Sequence, residues 1–269
     1  MSNVKIVIPT LERYKTLKER TLKYLHECNI PKEQIYIFVA SEHEREKYQC
    51  VCGIDYNYII GERGKANISN FIIDYFDEDE KIFCLDDDIT YIYKIDYINK
   101  KVKTNKITDL NNLINDSFEI MDKCNAKIFG FLIPSNDFWI ATDKRNIKRK
   151  ICLTGACFGM RIDKDCKITT YIDDLERSLF YWNKYNQSNI SFTKYSFHTP
   201  AQWNEGGLFN ERTKENYVDE CKKLMTMYPN LVLDIKEKKK GKIPYTIRLK
   251  QIRQKENLDI YYNNENCYC

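Results

Sequence analysis

The sequence predicts an α/β domain with a mostly parallel central sheet and helices on both of its faces. Two observations carry that prediction. Short apolar runs alternate with helix-period stretches through about the first 90 residues. The runs stop abruptly, at Pro9, at Gly61 and at the acidic cluster Asp86-Asp87-Asp88. Strands and helices that alternate in this way wind into one sheet whose ligand sites lie outside the carboxyl ends of the strands, so these stops should converge in space.

The elements follow in order. Val4–Ile8 is the first strand, and Tyr14, Leu17, Leu22 and Leu25 mark a helix after it. Gln34–Ala40 and Tyr56–Ile60 are the second and third strands. Asn67–Phe76 places Ile68, Phe71, Ile72, Tyr75 and Phe76 on one helical face. Lys81–Leu85 is the fourth strand, cut off by three aspartates. The middle of the chain predicts a helix over Asp109–Met121, an apolar run over Lys127–Pro134, a strand over Lys150–Met160 and a helix over Asp173–Trp182. A loop holding His198 and Gly206-Gly207 comes next, then a helix over Lys214–Met227 and a hairpin over Leu231–Leu249. No internal repeat is present. The expected organisation is one Rossmann-like domain over residues 1–250 and a polar tail over 251–269.

Composition narrows the class. Hydrophobic residues make up 43% and charged residues 30% of the 269-residue chain, enough apolar surface for a core and too much for disorder. Lys plus Arg exceed Asp plus Glu by 43 to 39, an excess too small to mark a nucleic-acid binder by itself. No apolar stretch is long enough to span a bilayer. Met1–Asn3 run straight into the first strand without a basic, apolar leader, so the expectation is a cytoplasmic chain that is not secreted. The cysteines are odd in number and sit in apolar segments such as Phe83-Cys84-Leu85, which reads as reduced, buried thiols. Cys50/Cys52 and Cys267/Cys269 lack the spacing of a zinc site.

The chemistry should sit at the strand ends. In an extended chain Asp86 and Asp88 share one face and Asp87 takes the other. Adjacent carboxylates resist joint ionisation unless a cation neutralises them, and hard oxygens suit Mn²⁺ or Mg²⁺ with diphosphate oxygens completing the shell. The bland alternative is a solvated acidic turn. Thr10 and Arg13 follow the first strand, and Arg63, Gly64 and Lys65 precede a helix whose N-terminus can hold an anion. The Gly61–Lys65 spacing does not fit a P-loop, which excludes that NTPase class. Asp173 and Asp174 open a helix, where either serves as a first-turn acid or as a carboxylate base for an attacking hydroxyl; Asp174 is the candidate base. His198 is the histidine nearest the expected site and a candidate cation ligand.

Together these residues resemble the GT-A glycosyltransferases: a strand-terminal acidic triplet at Asp86–Asp88, a Gly-containing segment at Gly155–Gly159, an acidic pair at Asp173-Asp174 and a later His198, in the order that family uses. More narrowly, Ile8-Pro9-Thr10 with Arg13, Gly61–Asn70, Leu85–Ile89 and Gly206-Gly207 resemble the glycosyltransferases associated with TET/JBP enzymes, a family with relatives in phages and large DNA viruses. The resemblance spans Val4 to Leu249. It implies that Asp86 approaches the donor ribose, that Asp88 and His198 bind the metal with Asp86 beside them, and that Asp174 is the base, which would make the transfer inverting. It also implies a donor-binding set of Thr10, Arg13, Arg63, Gly64, Asn70, Asp86, Asp87 and Gly155. The chain departs from the pattern at Ser69-Asn70, where many members carry Arg-Asn, and at its Asp-Asp rather than Glu-Asp pair.

The expected reaction is transfer of a sugar, glucose by resemblance, from a UDP-sugar to a hydroxyl acceptor. A hydroxymethylated base in DNA is the acceptor that the resemblance implies. Lys144–Lys150 would then grip phosphates through Arg145 and Lys148, and Trp139 or Trp203 would stack an extruded base. Lys236–Lys242 is a second basic patch. The alternatives are a glycosyltransferase building a viral or cell-surface glycan, with the basic runs as solvated loops, and a non-catalytic nucleic-acid-binding module.

Overall fold

The computed structural model describes residues 4–133, 137–199, 214–237, 245–250 and 258–261. The first strands are β1 (Lys5–Pro9), β2 (Ile35–Val39), β3 (Asn57–Ile60) and β4 (Lys81–Leu85), which follow the apolar runs within a residue or two. Between them stand α1 (Tyr14–Leu17), a π turn (Lys18–Leu22) and α2 (Lys23–Glu27), which continue one another on right-handed helical backbone. Next come α3 (Glu42–Cys52), capped by the Ser41 side chain, and α4 (Lys65–Tyr75).

The remaining strands are β5 (Tyr91–Ile98), β6 (Lys101–Lys106), β7 (Ile128–Leu132), β8 (Ile147–Arg149), β9 (Cys157–Arg161) and β10 (Asn189–His198). They join one sheet in the order β3-β2-β1-β4-β9-β7-β10-β5-β6, with β8 also on β10. β3, β2, β1, β4, β7 and β10 point the same way; β9 lies antiparallel between β4 and β7, and β5 runs against β10. The sheet is therefore mostly parallel, as the sequence predicts.

Burial on both faces explains the continuous apolar runs. Ile6, Ile8, Phe83 and Leu85 enter one core cluster, while their alternate neighbours Val7, Ile82 and Cys84 enter the other. Each such fully buried side chain contributes about 1.5–3 kcal/mol relative to exposure. α5 (Leu110–Lys123), whose N-cap Asp109 accepts from the Asn112 N–H, covers the first face through Ile114, Phe118 and Met121. The short helix α6 (Asp137–Thr142) precedes α7 (Asp173–Lys184), and α4 and α7 cover the second face through Ile72 and Ile73 of α4 and Tyr181 of α7. A third cluster joins Leu175, Leu179 and Trp182 of α7 to α8 (Lys214–Met227) and to the antiparallel pair β11 (Val232–Glu237) and β12 (Tyr245–Leu249).

Four features differ from the sequence reading. The strand expected over Lys150–Met160 begins only at Cys157, because residues 150–156 bend to bring Gly155 against α7. His198 is the last residue of a ten-residue strand rather than part of a loop. The β5–β6 hairpin turns on Asn99 and Lys100 in left-handed backbone (φ 52° and 60°) without the glycine that usually signals it. Leu258, in a 3₁₀ turn (Leu258–Tyr261), is buried in the first core, so the segment after residue 250 is not wholly a solvated tail. The described cysteines form no disulfide, and Cys28, Cys84, Cys124, Cys157, Cys166 and Cys221 are buried. Among the described residues, no helix is long and apolar enough to cross a membrane.

Candidate active site

The topology brings the sequence stops to one sheet edge. Pro9-Thr10 and Asp86 leave the carboxyl ends of the adjacent parallel strands β1 and β4. Because β9 is inverted, the bend that carries Gly155-Ala156 enters at the same edge, where the Asp86 N–H donates to the Ala156 carbonyl at 2.9 Å. His198 ends β10 opposite Tyr91, and its carbonyl accepts from the Thr90 N–H at 2.8 Å. Its imidazole stacks on the Tyr91 ring at 5.0 Å, with planes 5° apart.

The acidic triplet does not keep the alternation of an extended chain. β4 ends at Leu85 and residues 87–88 form a turn, so Asp87 and Asp88 face a common partner. That partner is Arg13: one guanidinium nitrogen meets Asp87 Oδ1 at 2.7 Å and the other donates to Asp88 Oδ2 at 3.0 Å. Burial opposes the Arg13 charge, but Asp87 and Asp88 outweigh it and raise its pKa. Thr10 Oγ1 donates to Asp87 Oδ2 at 2.7 Å, so the Tyr48 hydroxyl 2.7 Å away donates to Thr10 while it accepts the Arg13 N–H. Asp87 is 4% exposed, and burial pushes its pKa up to about 7 despite Arg13. Asp87, which the resemblance places in the donor-binding set, is thus buried with its carboxylate on Arg13 and Thr10. A residue the sequence did not single out fixes the turn itself. Thr21, fully buried on the π turn, donates to the Asp86 carbonyl (2.8 Å) and accepts the Ile89 N–H (3.0 Å).

Below Asp86 an open pocket runs between α4 and α7, with Ile68, Ile72, Phe158 and Met160 as its apolar wall. Its polar groups alternate in charge. Lys65, from the first turn of α4, reaches within 3.7 Å of Asp173 Oδ1; Asp173 Oδ2 accepts from Arg177 at 2.7 Å and from Ser69 at 3.0 Å. Burial works against the Asp173 charge, yet Lys65 and Arg177 hold its pKa below the usual carboxylate value. Asp173 in turn raises the pKa of Lys65. Burial pushes Asp86 up to about 6 against the pull of Lys65. Asp174, the next residue, forms no salt bridge among the described residues, and Lys65 and Arg177 lower its pKa only from farther away. Its Oδ1 accepts the Leu175 N–H at 2.8 Å, and burial together with the Asp173 charge raises its pKa. The two aspartates of the pair are thus driven apart, one into a buried ion pair and one into a carboxylate with raised proton affinity. The i, i+4 spacing of Asp173 and Arg177 was the available sequence signal for that ion pair.

Other expected residues fall elsewhere. Arg63 is exposed, and its carbonyl accepts from Asn67. Gly64 has φ +105° at the N-cap of α4, a conformation that a side chain would strain. Asn70 spends both ends of its amide on the Ile168 backbone, at 2.8 and 2.7 Å, so it pins that loop rather than facing the pocket. Gly159 packs under Phe129 in the core and does not border the site. In the basic run, Arg145 pairs with Asp143, Lys148 lies 4.0 Å from Asp143, and Arg149 donates to the carbonyls of Gln187 and Cys124. The Trp139 side chain, Trp203, Gly206-Gly207, most of Lys236–Lys242 and Cys267/Cys269 lie outside the described residues.

No family model and no curated protein matches the chain. Several solved structures are similar to it. TarS 1-349 of S. aureus is 12% identical over 84% of this chain and 65% of that one, with a TM-score of 0.44. Glucosyl-3-phosphoglycerate synthase from Mycobacterium tuberculosis, in complex with phosphoglyceric acid, is 8% identical over 87% and 84%, with a TM-score of 0.46. GalNAc-T7 with UDP, GalNAc and Mn²⁺ is 13% identical over 84% and 50%, with a TM-score of 0.43. The chain spans 65% of the TarS structure.

Proposed function

We propose that this chain is a GT-A-type glycosyltransferase that moves a sugar from a nucleoside-diphosphate donor to a hydroxyl acceptor. The observation that carries the reading is Asp174, a carboxylate whose pKa burial and the Asp173 charge raise, packed against Gly155, which lines the pocket together with Asp86 and Asp173. A carboxylate of raised proton affinity can take the proton from an acceptor hydroxyl as it attacks the anomeric carbon. With Asp174 as base the transfer inverts the anomeric centre. Lys65 and Asp86 offer a donor and an acceptor to sugar hydroxyls, and the donor's ribose lies nearer Asp86.

Asp88 and His198 would hold the divalent cation, Mn²⁺ or Mg²⁺. Among the described residues no three His, Cys, Asp or Glu side chains stand close enough to hold an ion alone. The His198 carbonyl accepts from the Thr90 N–H, two residues from Asp88, and a hard carboxylate with an imidazole suits a cation that completes its shell with diphosphate oxygens. The chemistry it would supply is neutralisation of the leaving diphosphate.

UDP-glucose and a hydroxymethylated base in DNA are the finer reading, as for the TET/JBP-associated enzymes. The glycan acceptor is favoured by the commitment of Arg145 and Arg149 to protein partners, which weakens the case for a phosphate grip at residues 144–150. Incubation with labelled UDP-glucose, Mn²⁺ and either hydroxymethylated DNA or soluble glycans, over a salt series, tests both. Transfer to DNA should fall steeply with salt; a flat response rules against phosphate contacts. If Asp174→Asn transfers as fast as the wild type, the assignment of the base fails.

A further inference from the structure

Arg13 stands between two carboxylates that do not hold it equally. The Asp87 side chain is 6% exposed and is braced from behind by Thr10, which Tyr48 holds in turn. Tyr48 also accepts the Arg13 backbone N–H at 3.0 Å, so the residue is tethered to this side. The Asp88 carboxylate is 14% exposed and, among the described residues, has no hydrogen-bond partner besides Arg13. The Asp87 half of the bridge is braced by further hydrogen bonds and the Asp88 half is not.

We infer that Arg13 competes with the divalent cation for Asp88, so that the cation enters only as the guanidinium leaves Asp88 while keeping Asp87. The inference rests on the cation site proposed above. A guanidinium and a dication on one carboxylate repel each other at close range, and the better-braced contact survives. The nitrogen released from Asp88 then faces the diphosphate, whose oxygens also ligate the cation. Donor binding thereby repays both halves of the exchange: it gives Arg13 a new acceptor and the cation its missing ligands. Cation and nucleotide each raise the affinity of the other through one side chain.

The test is Mn²⁺ binding by electron paramagnetic resonance, with and without UDP, to the wild type, Arg13→Ala, Arg13→Gln and Asp88→Ala. Arg13→Gln is neutral yet can still donate to Asp87, which protects the fold if Arg13→Ala does not survive. Without UDP, both Arg13 variants should bind Mn²⁺ about tenfold more tightly than the wild type, the size of a charge-assisted bond discounted for partial exposure. With UDP that advantage should vanish, because the variants lack the phosphate contact. Unchanged or weaker Mn²⁺ binding by folded Arg13→Gln without UDP overturns the competition. If Asp88→Ala binds Mn²⁺ as the wild type does, the cation site itself is wrong and the competition falls with it.

Discussion

Gly155 lies so close to Asp174 that a Cβ at position 155 would stand 2.7 Å from the Asp174 Cβ. The obstacle is the root of the aspartate side chain, not its flexible end, so α7 or the 150–156 bend must shift to admit a methyl group. Gly155→Ala should lower stability by about 1–3 kcal/mol. It should also slow sugar transfer about 100-fold by moving Asp174, the proposed base. Thermal unfolding and initial rates measured on one preparation check both; a normal rate would separate Asp174 from the chemistry.

The adjacent pair Asp173-Asp174 should divide stability from activity. Asp173→Ala leaves the buried Arg177 and the pocket residue Lys65 without their shared anion, which should cost about 3–5 kcal/mol. Asp174→Asn should leave the urea midpoint near that of the wild type while abolishing transfer. Equal midpoints for the two variants would contradict the ion-pair role of Asp173.

Thr21→Val removes a hydroxyl that serves both sides of the Asp86–Ile89 turn. The Ile89 N–H would be left buried without a partner, at about 1–3 kcal/mol. Thr21→Ser keeps both bonds and should recover most of that loss. Urea unfolding of the two variants, paired with UDP titration in Mn²⁺, distinguishes a turn clamp from ordinary core packing, for which serine would fare no better than valine.

Acid should weaken the fold through Asp163. Burial opposes ionisation of this carboxyl, but Lys184 (2.7 Å) and Tyr185 (2.6 Å) outweigh it and hold its pKa low. A depressed folded pKa contributes stability that is fully present above the unfolded carboxylate value, about 3.9, and is lost as pH falls through the folded value. The wild type should therefore be more stable than Asp163→Asn at pH 6, and the gap should close in the acid range below about pH 4. A gap independent of pH, measured by urea midpoints across that range, would show that Asp163 acts without its charge.

Much of the sheet edge was legible in the sequence. Pro9, Gly61 and the aspartates cut three apolar runs where β1, β3 and β4 end, and strands that alternate with helices leave little choice about where those ends gather. β10 was missed for a specific reason. Its apolar residues alternate in two phases, Ile190/Phe192 and then Tyr195/Phe197, and the phase changes where the register with β7 shifts between Phe192 and Ser196. An irregularity of that kind hides a strand from any search for strict alternation.

The partners of the site residues were less legible, because they depend on turns a few residues long. The turn at 87–88 gives Asp87 and Asp88 the same arginine, where alternation would separate them. In sequence Lys65 reads equally as surface charge or as part of an anion site before a helix, and its ion pair with Asp173 appears only once α4 begins at that residue and turns it into the pocket. Thr21 has no sequence signature at all, since its reach to Asp86 depends on the π turn.

The inverted strand β9 has a consequence for the order in which the molecule can be built. It is inserted between β4 and β7, yet it is made more than 70 residues after β4, as the numbering of Lys81–Leu85 and Cys157–Arg161 shows. During synthesis β4 therefore waits with a bare, strongly apolar edge beside the acidic triplet. A chain halted near residue 130 would present that edge and β7 as unpaired templates for other chains. The nascent protein should be most prone to self-association just before its active edge is closed.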